Sequence, residues 1–248
     1  MNNSLENFYR RFLLILLVLL LFTVFPVMAA SAQEVSSAVG EKSTPQKSQT
    51  LKKSEQEKIL ARIRQKYSRK QAFSGRFTQK TIYADSDETT LSLGRIWIKG
   101  PDKMRWEYQS PEQQILVSDG KTIWYYTPDL NQVMVGKVED IREARVLVNL
   151  LAKLQLKQKG FRLDLRRSND LITVALTPLS DDKAPPFQSM AMIFSTADYT
   201  LQETRMEDLF ANKIVITYTW ESTSHPALPG VEFSFTPPSG CDIMPLGR

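Results

Sequence analysis

Every second residue between Lys103 and Gln109 is apolar: Met104, Trp106 and Tyr108 alternate with Lys103, Arg105, Glu107 and Gln109. A period of two predicts a strand with one wet and one greasy face. The same alternation recurs at Phe73, Gly75 and Phe77, and at Leu91, Leu93 and Trp97, where Pro101 ends the run. It returns at Phe161, Leu163 and Leu165, at Ile172, Val174 and Leu176, and at Met190, Met192 and Phe194. Ile214, Ile216, Tyr218 and Trp220, then Val231, Phe233 and Phe235, complete the series. Between Ser110 and Val135 the runs shorten and turn signals crowd in at Ser110-Pro111-Glu112, Asp119-Gly120-Lys121 and Thr127 to Asn131. Asp-Gly between β-prone runs is a strong hairpin signal. About eleven strands are expected, in an antiparallel sheet too large to stay flat. The fold class is therefore α+β, mainly β.

Two segments carry a helical period instead. Ser54-Glu55-Gln56-Glu57 reads as a Ser N-cap with a capping-box Glu, after which Ile59, Leu60, Ile63 and Tyr67 share one face. From Glu139 to Lys157, Ala144, Leu147, Val148, Leu151 and Leu154 mark a second apolar face. A helix this apolar, inserted among strands, is expected to cover the concave side of the sheet, either as ordinary core or as a movable lid.

The N-terminus sets the compartment. Arg10-Arg11 precede an uncharged run from Phe12 to Met28, and Ala30-Ser31-Ala32 follows as a small-residue cleavage site. Residues 1–32 are expected to be a signal peptide, cleaved on export, the alternative being an uncleaved membrane anchor. Residues 33–54, rich in Ser, Thr, Lys and Gln, are expected to be a flexible linker. The remainder, 55–248, fits one domain with a sizeable core. The formal net charge is +5, but Lys and Arg are interleaved with acids and the chain is exported, so no nucleic-acid partner is expected. A single cysteine, Cys241, excludes an intramolecular disulfide.

Candidate chemistry is sparse. The one histidine, His225, precedes Pro226 in a Ser/Thr/Pro-rich stretch and reads as a loop residue without triad or zinc partners. Asp181-Asp182 precedes Pro185-Pro186 and reads as a loop, and no phosphate loop or nucleophile elbow is present. Glu107 and Glu112 lack a motif partner. What the chain does supply is Trp, Tyr, Phe and Met on strand faces, which suits hydrocarbon binding or a plain core.

The order of several short pieces resembles the periplasmic outer-membrane lipoprotein carrier (LolA-type) family. They are Phe73 to Gln79 (FSGRFTQ), Gly94 with Ile96 to Lys99, Pro101 with Met104 to Trp106, and Ser110-Pro111. Ile115 to Lys121, Trp124 to Tyr126 and Leu130 to Val133 follow, and Phe233 to Gly240 with Asp242 resembles the closing strand. The resemblance implies a strongly curved, incomplete antiparallel barrel closed by a helical lid, with no enzymatic activity, cofactor or metal. It implies a cavity lined by Trp97, Met104, Trp106, Tyr108 and Leu116, and a lid presenting Leu147, Leu151 and Leu154. The implied partners are acylated lipoproteins, an inner-membrane lipoprotein-releasing transporter and an outer-membrane acceptor, met by a monomer in the periplasm. Alternatives are a carrier or sensor of another lipid or glycolipid on the same fold, including sigma-factor regulators, and a secreted enzyme. One departure stands out: the family's lid-holding Arg before the proline is Gly100 here, with Lys99 and Arg105 nearby.

Overall fold

The computed structural model describes residues 49–67, 72–86, 88–100, 102–139, 161–179, 187–225, 231 and 233–246. The signal peptide expected at 1–32 and the helix expected to carry Leu147, Leu151 and Leu154 lie outside the described residues. One α-helix, a short 3-10 helix at Pro128–Leu130 and one sheet account for the regular structure described. The α-helix is α1 (Lys53–Lys66). The strands in the first half are β1 (Gln49–Thr50), β2 (Ala72–Ile82), β3 (Thr89–Lys99), β4 (Lys103–Ser110), β5 (Gln114–Ser118), β6 (Thr122–Thr127) and β7 (Gln132–Lys137). The second half adds β8 (Phe161–Ser168), β9 (Leu171–Pro178), β10 (Phe187–Ser195), β11 (Leu201–Asp208), β12 (Lys213–His225) and β13 (Asp242–Pro245).

Strand order is β1-β8-β9-β10-β11-β12-β2-β3-β4-β5-β6-β7-β13. All pairings are antiparallel except β7 with β13, which is parallel. β1 and β13 are the two edges, and no pairing among the described residues joins them, so the barrel is incomplete. Most neighbours are consecutive hairpins. The pairing of β12 with β2 is not: it sets His225 opposite Ala72 and Lys213 opposite Ile82. That long-range seam welds the two halves of the chain into one sheet.

The sheet curls strongly toward α1. On a flat sheet β12 and β4 would lie three strand spacings apart, about 14 Å. Yet the rings of Tyr218 on β12 and Trp106 on β4 lie with centroids 6.2 Å apart. Leaning side chains and curvature together close the gap.

α1 lies against the inner face. Ile59, Leu60 and Ile63 are buried, as their helical spacing predicts, and Tyr67 joins them just past the helix end. The Tyr67 hydroxyl accepts the Leu201 amide hydrogen at 2.8 Å, pinning the helix exit to β11. The helix start differs from the sequence reading. Its N-cap is Lys52, without a side-chain cap, and Ser54 lies inside the first turn. Buried Leu51 anchors the entry, and the Gln56 amide donates to the Leu51 carbonyl at 2.8 Å. Part of the stretch expected to be linker is thus structured, with β1 paired to Arg166 and Arg167.

Two other local expectations change. His225 ends β12 rather than lying in a loop. Val231, Phe233 and Phe235 alternate like a strand, but no strand among the described residues includes them. The edge strand starts only at Asp242, where the Asn131 carbonyl accepts the Asp242 amide hydrogen at 3.0 Å. The β5–β6 hairpin turns where predicted, at Asp119-Gly120-Lys121. There the Asp119 carboxylate accepts the Lys121 and Thr122 amide hydrogens, each at 2.7 Å.

Candidate functional site

Register decides which side chains share the inner face. Gly94 is paired with both Phe77 and Tyr108, and Ile96 is paired with Trp106. Trp106 faces Leu116, Leu116 faces Tyr125, and Tyr125 faces Met134. On the other side of β2, Phe77 faces Tyr218 and Gly75 faces Trp220. Paired residues point to the same side of a sheet. One surface therefore runs from Trp220 on β12 to Met134 on β7, and the core residues of β8–β11 continue it under α1.

Seven rings touch in sequence, six of them on this surface and Tyr67 at the end of α1. Tyr67 stacks on Phe73 at 4.9 Å, and Phe73 meets Trp220 edge-on at 5.9 Å. Trp220 stacks on Tyr218 at 5.5 Å, and Tyr218 meets Trp106 at 6.2 Å. Trp106 then lies 4.7 Å from Phe77, which meets Tyr108 at 4.9 Å. The chain of rings can cross β3 because position 94 has no side chain. A Cβ there would sit 2.6 Å from the Phe77 ring and 2.2 Å from the Glu107 carbonyl oxygen. Trp106 also packs against a second cluster formed by Leu116, Ile123, Tyr125, Met134, Val138 and Leu246, so it joins the two apolar regions of the molecule.

Polar groups on this wall are few and paired. The Tyr108 hydroxyl donates to Gln79 Oε1 at 3.1 Å, with both residues buried. The Tyr218 hydroxyl lies 3.1 Å from Thr204 Oγ1. The Trp220 indole N–H donates to the Leu201 carbonyl at 2.6 Å. Burial pushes the Tyr218 hydroxyl up to about 12, against the opposing pull of its Thr204 hydrogen bond. Burial raises Tyr108 well above its usual value, with Tyr125 and Tyr218 adding to the effect. Burial likewise raises Tyr67, opposed by the Leu201 amide, and Tyr125, opposed by Thr127. All four stay neutral at physiological pH, as an apolar wall requires.

An alkaline limit follows from these shifts. Each folded pKa lies above the unfolded value near 10, so the unfolded chain releases these protons first. Their contribution is complete below pH 10 and is lost as pH rises through 12 and beyond. The urea midpoint should hold up to pH 10 and then fall, with the buried phenolate absorbance appearing only on unfolding. A midpoint unchanged at about pH 11.5 would contradict this assignment.

Four of the five residues expected in the cavity share the inner face: Met104, Trp106, Tyr108 and Leu116. Trp97 does not. It is paired with Ser74 and Arg105, one residue out of phase with Ile96 and Trp106, so it points to the opposite side of the sheet. It is buried there with the Arg95 guanidinium 4.9 Å over its ring. Trp97 was expected in the cavity through the family resemblance, whereas β3 and its neighbours bury residues on both faces. Val117 and Val133, on that opposite side, are fully buried, and Phe235 packs on Tyr126 at 5.2 Å. Phe73, Phe77, Tyr218 and Trp220 belong to the ring series although sequence reasoning left them as strand residues. Their alternation was visible, but the pairing of β12 with β2 was not.

The departure at position 100 has a local cause. Gly100 has φ of 67°, a left-handed turn that an L side chain adopts only with strain. Neither nearby cation replaces the missing arginine on the inner face. Lys99 and Arg105 share the phase of Trp97, and Arg105 donates to Glu107 at 2.6 Å.

Among the described residues no group of three His, Cys, Asp or Glu could hold a metal ion. Known proteins resemble the chain as follows. The sequence profile of the family described as "Outer membrane lipoprotein carrier protein LolA" matches residues 68–236. A protein named outer-membrane lipoprotein carrier protein from Chromobacterium violaceum is 32% identical over 173 residues, covering 66% of this chain and 81% of its own length. One of the same name from Dechloromonas aromatica is 30% identical over 168 residues, with coverage of 68% and 78%. A crystal structure of an uncharacterized conserved protein from Thermus thermophilus superposes with a TM-score of 0.47 at 14% identity, covering 77% of this chain and 99% of that one.

Proposed function

This chain belongs to the LolA family of outer membrane lipoprotein carriers, and from that premise we propose that it is a periplasmic chaperone that carries lipoproteins from the inner to the outer membrane. It is a carrier rather than an enzyme. Its cargo's acyl chains lie against the inner face, on the wall built from Met104, Trp106, Tyr108, Leu116 and the ring series. It acts as a monomer that receives cargo from an inner-membrane transporter and yields it to an outer-membrane acceptor.

Magnitudes explain why such a wall is needed. Each buried CH₂ contributes about 0.8 kcal/mol, so a protein with several acyl chains leaves a bilayer only if another apolar surface replaces that burial. Aromatic rings and methionines present such a surface without fixed polar contacts, and so accept chains of different length. The observation that carries the proposal is the unbroken run of seven rings on the helix side of a curled sheet.

The test is to isolate the exported protein from its own periplasm and identify its bound species by native mass spectrometry. An acylated protein is the expected passenger. Free phospholipid or glycolipid alone would favour the other lipid-carrier reading, and a consistently empty protein that strips no lipoprotein from membranes would overturn the proposal.

A further inference from the structure

We infer that the hydroxyl pair of Thr204 and Tyr218 is a carbonyl-binding point on the inner wall, which makes the protein select ester-linked acyl chains over hydrocarbon as such. This deepens, and rests on, the carrier reading above.

The inference starts from a hydrogen count. Thr204 and Tyr218 each carry one O–H donor, and their mutual contact at 3.1 Å uses one of the two, whichever residue donates. One donor hydrogen is therefore left over. No other hydrogen-bond partner of either hydroxyl is found among the described residues. Both residues are half-buried, whereas the Tyr108–Gln79 pair is closed off in the core. A spare donor in an apolar wall is costly unless something accepts from it.

Position makes it useful. Tyr218 lies between the rings of Trp106 and Trp220, in the middle of the aromatic series. Thr204 is paired with Ile216, which places its hydroxyl on the same face one strand away. A hydrocarbon tail laid on this wall needs no partner, but an acyl group enters behind a carbonyl, which offers two lone pairs and no donor. Desolvating that carbonyl against rings alone would oppose binding. The spare O–H supplies the missing partner and fixes how far along the wall the head of the acyl group lies.

The experiment compares two synthetic lipopeptides, a diacylglyceryl-cysteine peptide with ester linkages and its dialkyl ether counterpart, which lacks the carbonyls. The unaltered protein should bind the ester about fivefold to tenfold more tightly, the worth of one buried hydrogen bond. The double variant Tyr218→Phe with Thr204→Val keeps the shape of both side chains. It should lose the ester preference, binding both peptides equally, and melt as a folded protein does. Equal binding of both peptides by the unaltered protein, or an ester preference that survives in the folded double variant, would overturn the inference while leaving the carrier reading intact. Failure of both peptides to bind the unaltered protein would overturn the carrier reading and this inference with it.

Discussion

Glutamate in place of Trp106 will weaken the binding of acylated cargo by at least about a hundredfold, a loss near 3 kcal/mol. Among the described residues Trp106 is the one that packs against both apolar clusters, with Phe77 at 4.7 Å and Tyr218 at 6.2 Å. Removing its ring breaks the series at the centre. The carboxylate then adds a second penalty, because an acyl chain laid over it must strip its water, at several kcal/mol for an unpaired charge. The measurement is displacement of a fluorescent lipopeptide, with circular dichroism to establish that the sheet has formed. Trp106→Phe is the companion variant: it keeps an aromatic ring and should stay within a few-fold of the unaltered protein. If the glutamate variant folds and binds as well as the phenylalanine one, the inner face is not where cargo lies.

Gly94→Ala will be among the most damaging single-methyl changes in the molecule. The added Cβ would meet the Glu107 carbonyl oxygen at 2.2 Å and the Phe77 ring at 2.6 Å. The first contact is backbone, so no rotamer change relieves it. Either β3 and β4 must part or Phe77 must leave the ring series. Overpacking of this kind costs about 2–4 kcal/mol, which lowers Tm by roughly 5–15 °C in a domain of this size. Leu93→Ala, one residue earlier at an exposed position, should change stability by no more than about 0.5 kcal/mol. Thermal melts of the two variants side by side give the test. Comparable melting temperatures would mean that the rings do not cross β3 as described.

Some of this was plain in the order of residues. The alternation of Met104, Trp106 and Tyr108 places the three on one side of β4, and the strand pairings agree. The Asp119-Gly120 turn and the buried face of α1 were equally readable, since a turn or an amphipathic helix depends on residues only a few positions apart. Trp97 entered the expected cavity through the family resemblance and not through this rule. Its phase within β3 was correct, but phase alone cannot say which side of a sheet faces the helix. Where both sides are covered, as at β5 to β7, even the contrast between apolar and polar positions fades, and Gln114 to Ser118 shows it: four of its five residues are buried.

Unaided, the linear chain determined the strand and helix periods, the turn chemistry, the mainly β class and the kinship to lipoprotein carriers. These rest on near neighbours or on the order of short pieces. Tertiary structure alone decided which face turns inward, that β12 lies beside β2, and hence that Tyr218 and Trp220 meet Trp106 and Phe73. The physical reason is that strand pairing is set by hydrogen bonds and burial between segments more than a hundred residues apart. Such pairings exist only once the sheet has curled and its register is locked.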